Sequence, residues 1–158
     1  MPSAATGRKA TFLTQDEARR LFAVIHDKRD RALFYLAYHH GLRASEVSLL
    51  LCDDLNVKQS RIHIHRVKGS IAGTYPLVPE DLKRLRAYLR TRQDESPYLF
   101  VSNRRAPLER RSYWDLIQKY GELAGLSKDK QHFHVLRHAI AVHMLDAGAD
   151  LTFVRDRL

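Results

Sequence analysis

Apolar residues recur every three or four positions along most of the chain and alternate with polar ones over one short stretch. The first pattern marks amphipathic helices, the second a half-buried strand. Thr14-Gln15-Asp16-Glu17 has the spacing of a capping box, with Thr14 at N-cap and Glu17 at N3. The helix it opens is expected to run to about His26, with Ala18, Leu21, Phe22 and Ile25 on one face. Asp30 to His40 reads as a second, strongly apolar helix stopped by Gly41. Ala44 to Leu51 reads as a third, with Val47, Leu50 and Leu51 together. Then the period changes. Arg61-Ile62-His63-Ile64-His65-Arg66-Val67 alternates, Lys68-Gly69-Ser70 and Ala72-Gly73 supply a turn, and Thr74 to Val78 returns, so 61–78 predicts a β-hairpin.

Helices resume after the hairpin. Pro79 suits a first helical turn and opens Glu80 to Arg92. Tyr98 to Val101 is a short extended piece. Ser112 is expected to cap a helix ending near Gly125. His134 to Ala147 forms another, stopped by Gly148, with Leu136, Ile140 and Met144 facing the core, and Asp150 caps a last one. Met1 to Thr11 is small and polar, a flexible leader. The expectation is therefore a leader over 1–11 and one domain over 12–158, mainly α with a small antiparallel β-sheet or hairpin (α+β).

Composition narrows the classes. A chain of 158 residues with 44% hydrophobic content makes about one domain with a real core, which excludes a disordered tail. Its one cysteine, Cys52, permits neither an internal disulfide framework nor a cysteine zinc cluster, and fits the reducing cytoplasm. Met1 to Ala10 lacks the apolar core of a secretory signal, and the longest apolar run, Ala32–Ala37, is too short for a membrane span. The net charge of +9 suits a polyanion partner. It is uneven: residues 1–60 carry +2, 61–111 carry +7 and 112–158 are neutral. The middle segment holds Lys83, Arg84, Arg86, Arg90 and Arg92 on one expected helix, and Arg104, Arg105, Arg110 and Arg111 in a loop. These are either a solvated surface or a surface that tracks phosphates.

Three segments carry candidate chemistry. In His132-Phe133-His134-Val135-Leu136-Arg137-His138, positions 134, 137 and 138 share one face of a helix beginning near His134. An arginine in a first turn opposes the helix dipole unless an anion arrives, and a phosphate would suit it. A surface arginine with two ordinary histidines fits the same residues. So does a metal site, since His134-x3-His138 has zinc-compatible spacing, with His63, His65 or Cys52 completing it. In Gly41-Leu42-Arg43-Ala44-Ser45-Glu46, Arg43 opens a helix and Glu46 can reach back to hold its guanidinium, a planar fork for two phosphate oxygens or a plain surface pair. Lys68 sits at the tip of the basic hairpin, as a solubilising charge, a groove contact or a proton donor at long reach.

Taken in this order, the segments resemble the catalytic domain of the tyrosine recombinase (phage integrase) family over roughly residues 12–158. The matches are Gly41-Leu42-Arg43-Ala44-Ser45-Glu46, the hairpin Lys68-Gly69 followed by Pro76-Leu77, His134-Val135-Leu136-Arg137-His138, and the turn Ala147-Gly148-Ala149-Asp150. The resemblance implies that Arg43 and Arg137 clamp the scissile phosphate, Lys68 protonates the leaving 5′ oxygen, and His134 assists proton transfer. Glu46 and His138 would support the clamp, while Arg66, Arg104, Arg105, Arg110 and Arg111 would contact DNA. No metal or other cofactor is implied, because two guanidiniums supply the charge stabilisation. The partners implied are double-stranded DNA and other recombinase protomers assembled on it, with no membrane.

The same resemblance sets the departures. The family's last helix leads into a Leu-Gly-His turn and then the nucleophilic tyrosine. Leu158 matches the Leu of that turn, and the seven tyrosines present all precede the His-x-x-Arg box. The expectation is a recombinase core, truncated before its nucleophile and inactive alone. The alternatives are a non-catalytic DNA-binding regulator that keeps the fold, and a histidine metal hydrolase.

Overall fold

Capping chemistry sets where the first helices begin. A computed structural model describes residues 12–66 and 72–158. Thr14 caps α1 (Gln15–Ala23): its hydroxyl accepts from the Glu17 amide, and the Glu17 carboxylate accepts from the Thr14 amide. α2 (Lys28–His40) starts two residues earlier than its apolar pattern, because Asp27 accepts from the Asp30 amide and so nucleates the turn. Gly41 ends α2 in the left-handed region, at φ 60° and ψ 43°. α3 (Ala44–Leu49) is shorter than expected; a 3-10 turn, Cys52–Asp54, follows it.

The expected hairpin is two strands of a three-stranded antiparallel sheet in the order β1-β2-β3. β2 (Arg61–Ile64) pairs with β3 (Gly73–Pro76) in the register Arg61 to Pro76 and Ile64 to Gly73. β1 (Leu55–Asn56) has two residues, too few to show a period, and pairs with the other edge of β2. Ile62 and Ile64 are buried while His63 faces the other side, as alternation requires.

α4 (Pro79–Leu89) ends before Arg92. Arg92 turns back instead: its guanidinium grips Asp94 and donates to the Ser96, Tyr98 and Leu99 carbonyls. That leaves it a loop anchor rather than a helix-face charge. α5 (Arg110–Leu123) starts before Ser112, which lies inside its first turn. α6 (Val135–Asp146) buries Val135, Leu136, Ala139 and His143, whereas Ile140 and Met144 are only half-buried. His143 is satisfied in the core between the Tyr38 hydroxyl at 2.5 Å and the Leu13 carbonyl at 2.7 Å. α7 (Leu151–Arg157) is capped by Asp150, as expected.

α2 is the central element, packed against α1, α4 and α6. Phe34 on α2 meets Tyr120 and Phe133 edge to face, both at 5.6 Å between centroids. Burying α2 on several sides fixes its C-terminal end, and with it the Gly41 turn from which the site is built.

Candidate functional site

The Gly41 turn delivers Arg43 to the N-cap of α3. Arginine has no acceptor with which to cap a helix. Glu46, at N3, supplies the link: one carboxylate oxygen accepts from the Arg43 amide at 2.8 Å, the other from Arg43 Nη1 at 3.1 Å. Glu46 is fully buried, and the Arg43 side chain keeps 31% of its surface exposed. The guanidinium is thus held at its root while its face lines an open cavity.

The start of α6 meets this turn. His134 is the N-cap residue and Arg137 follows one turn in. Arg137 Nη1 donates to the Gly41 carbonyl at 2.6 Å, and Nη2 to the Leu158 carbonyl at 2.6 Å. Two guanidiniums from different helices are therefore fixed on one short segment, 41–46. The His134 and His138 rings lie 4.4 Å apart, edge to face, and His132 approaches His138 at 6.5 Å. A cavity of about 630 Å³ opens beside them, lined among others by Arg43, Ser45, Arg110, Trp114, His132 and His134.

The electrostatics favour an anion. Burial, then the Arg43 guanidinium, pushes Arg137 down to about 10, and Arg66 adds to the push while Glu46 opposes it. Arg137 stays charged at neutral pH but is crowded by its own sign. Partial burial lowers His134 to about 4, reinforced by His138, Arg137, Arg43 and His132. His132 is lowered too, chiefly by burial. At neutral pH His134 therefore carries a neutral ring, able to accept a proton beside two fixed cations.

The other expected positions separate. Arg110 is exposed and lines the cavity. Arg111 pairs with Asp115 at 3.1 Å and lies over the half-exposed Trp114 ring at 4.9 Å. Arg104 is exposed, and Arg105, at φ 64°, sits 3.8 Å from Asp94 in the loop before α5. Lys68 lies outside the described residues. Arg66 requires correction as a surface contact: its side chain has no exposed area and points inward to Glu46. The basic run on α4 is also partly consumed, since Arg84 lies over the Tyr35 ring at 4.0 Å.

The metal alternative finds no ligand set. His65, just past β2, bonds Asp54 at 2.9 Å, and His63, on β2, approaches Thr74 at 3.1 Å. Among the described residues, no three His, Cys, Asp or Glu side chains gather to hold an ion. Sequence reasoning missed three participants. Trp114 is signalled only by being a half-exposed tryptophan. His40 is buried, and burial with Arg157 nearby lowers it to about 3. Arg157 donates to His40 Nδ1 at 3.1 Å and lies 4.1 Å over the Tyr75 ring, with no local signal for either contact.

Comparison with known proteins adds an independent line. Residues 11–158 match the phage integrase family. The chain is 36% identical over 149 residues to tyrosine recombinase XerA of Pyrococcus horikoshii, covering 92% of this chain and 51% of that protein. It is 32% identical over 166 residues to the type 1 fimbriae regulatory protein FimB of Escherichia coli K12, covering 100% of this chain and 82% of that protein. The crystal structure of XerA recombinase superposes with a TM-score of 0.84 at 31% identity, over 98% of this chain and 57% of that one. XerH recombinase bound to its difH substrate shares the fold, with a TM-score of 0.78 at 21% identity over 94% of this chain and 47% of that one. The chain spans about half the length of the XerA relatives it matches. Among the described residues, no helix is long and apolar enough to cross a membrane.

Proposed function

The chain belongs to the phage integrase family, and from that membership we propose that it is the DNA-binding catalytic core of a site-specific tyrosine recombinase. The observation that carries the proposal is the convergence of Arg43 and Arg137, from separate helices, on the Gly41–Glu46 segment beside a neutral His134. Two planar forks on a half-buried face suit the two non-bridging oxygens of a phosphodiester.

In the reaction proposed, a tyrosine oxygen attacks phosphorus, the bond to the 5′ oxygen breaks, and a 3′-phosphotyrosyl link forms. Arg43 and Arg137 stabilise the charge that grows on the non-bridging oxygens. His134 takes the tyrosine proton and returns it when a 5′ hydroxyl reverses the step. Lys68 gives its proton to the leaving 5′ oxygen. Glu46 and His138 hold the clamp, and Arg104, Arg105, Arg110 and Arg111 contact the backbone. All seven tyrosines precede His134, and Tyr88, Tyr113 and Tyr120 are buried. The proposal therefore takes the nucleophile from a tyrosine outside this sequence, on the same or another protomer. Double-stranded DNA is the partner, and the cytoplasm the place of work.

Affinity for a fluorescent duplex is expected to fall ~100-fold or more between about 50 and 200 mM salt, as counterion release requires. A longer form that carries a downstream tyrosine should give a covalent adduct on a nicked suicide duplex, abolished by Arg43→Ala or Arg137→Ala. Salt-sensitive binding without an adduct in that longer form would favour the regulator reading. Weak binding that ignores salt would sink both.

A further inference from the structure

Arg66 has the geometry of a part rather than a contact. Its side chain is fully buried two residues past β2, yet it carries a guanidinium. Nη1 donates to Glu46 Oε1 at 3.2 Å and reaches the Gly41 carbonyl at 3.5 Å. Nη2 donates to the His40 carbonyl at 2.9 Å and to the Arg157 carbonyl at 3.1 Å. Two of these acceptors are the ones that hold the clamp. Glu46 holds Arg43, and the Gly41 carbonyl holds Arg137.

We propose that Arg66 is a positioning residue that locks Arg43 and Arg137 into one rigid unit and ties the base of the β2–β3 turn to it. A buried charge is retained at a cost in desolvation, so four acceptors on one guanidinium imply a geometric task that an apolar side chain could not perform. The acceptors come from the α2 terminus, the Gly41 turn, α3 and α7. One planar fork thus fixes the relative placement of four segments at the point where both clamp arginines emerge. Its backbone neighbours lead into the segment that carries Lys68. Arg66 touches no phosphate itself; it acts through Glu46 and Gly41. Lysine, with a single nitrogen on a flexible stem, keeps the charge but cannot span acceptors on both sides.

The inference rests on the clamp reading, and a site-resolved measurement separates the two. The guanidinium Nε–H signals of Arg43 and Arg137 are followed by nuclear magnetic resonance during titration with inorganic phosphate, after assignment by Arg43→Lys and Arg137→Lys. In the unaltered chain both signals should move together with one Kd. In Arg66→Lys, checked as folded by circular dichroism, that Kd should rise at least tenfold and the two signals should cease to move in concert. A folded Arg66→Lys whose Kd stays within twofold, with the signals still concerted, would overturn the positioning role. Absence of movement in the unaltered chain would overturn the clamp, and the role with it. If Arg66→Lys does not fold, Glu46→Gln is compared with the double variant Arg66→Met with Glu46→Gln, which removes both buried charges together. The ratio of those two Kd values, from which the loss of the Glu46 carboxylate cancels, decides the matter by the same tenfold and twofold marks.

Discussion

His134 shows how much the chemistry depends on neighbours within a few ångströms. Its ring is lowered to about 4 by partial burial first, then by His138, Arg137, Arg43 and His132. All four of those neighbours are positive or can become so. An anion seated between Arg43 and Arg137 would offset that repulsion and favour the protonated ring. Saturating inorganic phosphate is therefore expected to raise the pKa of His134, read from its ring resonances across pH 3.5 to 7.5. By linkage through His134, phosphate should bind more tightly as pH falls below about 6, where it is already a monoanion. A His134 titration that phosphate leaves in place would show that no anion sits within reach of the ring. Glu46 is buried between Arg43 and Arg66, so its value lies in orientation and not in a solvent-screened surface pair.

At the scale of elements, the turn between α2 and α3 is the hinge of the site. Gly41 adopts φ 60°, where a β-carbon costs about 1–2 kcal/mol. A β-carbon there would also collide with Leu158 Cδ2 and lie 3.4 Å from Ile140 Cγ2. Gly41→Ala should therefore lower the thermal midpoint by roughly 3–10 °C, for a combined cost of about 1–3 kcal/mol. Asparagine tolerates the left-handed region but keeps the crowding. Gly41→Asn should thus fall between glycine and alanine, and an alanine midpoint equal to that of the unaltered chain would refute the account. The turn was legible in the sequence because its signals are local: a glycine, an arginine, and a glutamate three residues on. So was the Arg137 face, which needs only helical spacing. Arg66 was not. Besides Glu46, its acceptors are backbone carbonyls 25, 26 and 91 residues away, and carbonyls leave no mark on a residue pattern. The basic run after Pro79 misled for a related reason. Arg84 and Arg92 look solvated by composition, but an aromatic ring and loop carbonyls claim them. β1 escaped notice because two residues have no period.

Over the whole molecule, charge and histidine content set a pH limit on the fold. The net charge of +9 grows as histidines protonate, which raises self-repulsion in the compact state. Three histidines have folded values below their ordinary 6.5: His40 at about 3, His134 at about 4, and His132 by direction only. Between pH 4 and 6.5 the unfolded chain therefore binds more protons at these positions than the folded one. Unfolding free energy must rise with pH through that window and fall on acidification. Each fully buried histidine of this kind contributes a slope of at most ~1.4 kcal/mol per pH unit. His40 comes nearest that limit, since its ring is buried and accepts a bond from Arg157. His134 is more exposed than His40 and contributes less through solvent screening. Urea unfolding at pH 4.5, 5.5, 6.5 and 7.5 should show a plateau above 6.5 and a progressive loss below it. His40→Asn should be less stable at pH 7.5, because the Arg157 contact is disturbed, yet show a shallower loss from 6.5 to 4.5. If the unaltered chain is equally stable at pH 4.5 and 6.5, the buried neutral histidine at the end of α2 is not what holds Arg157 and the α7 terminus against the clamp.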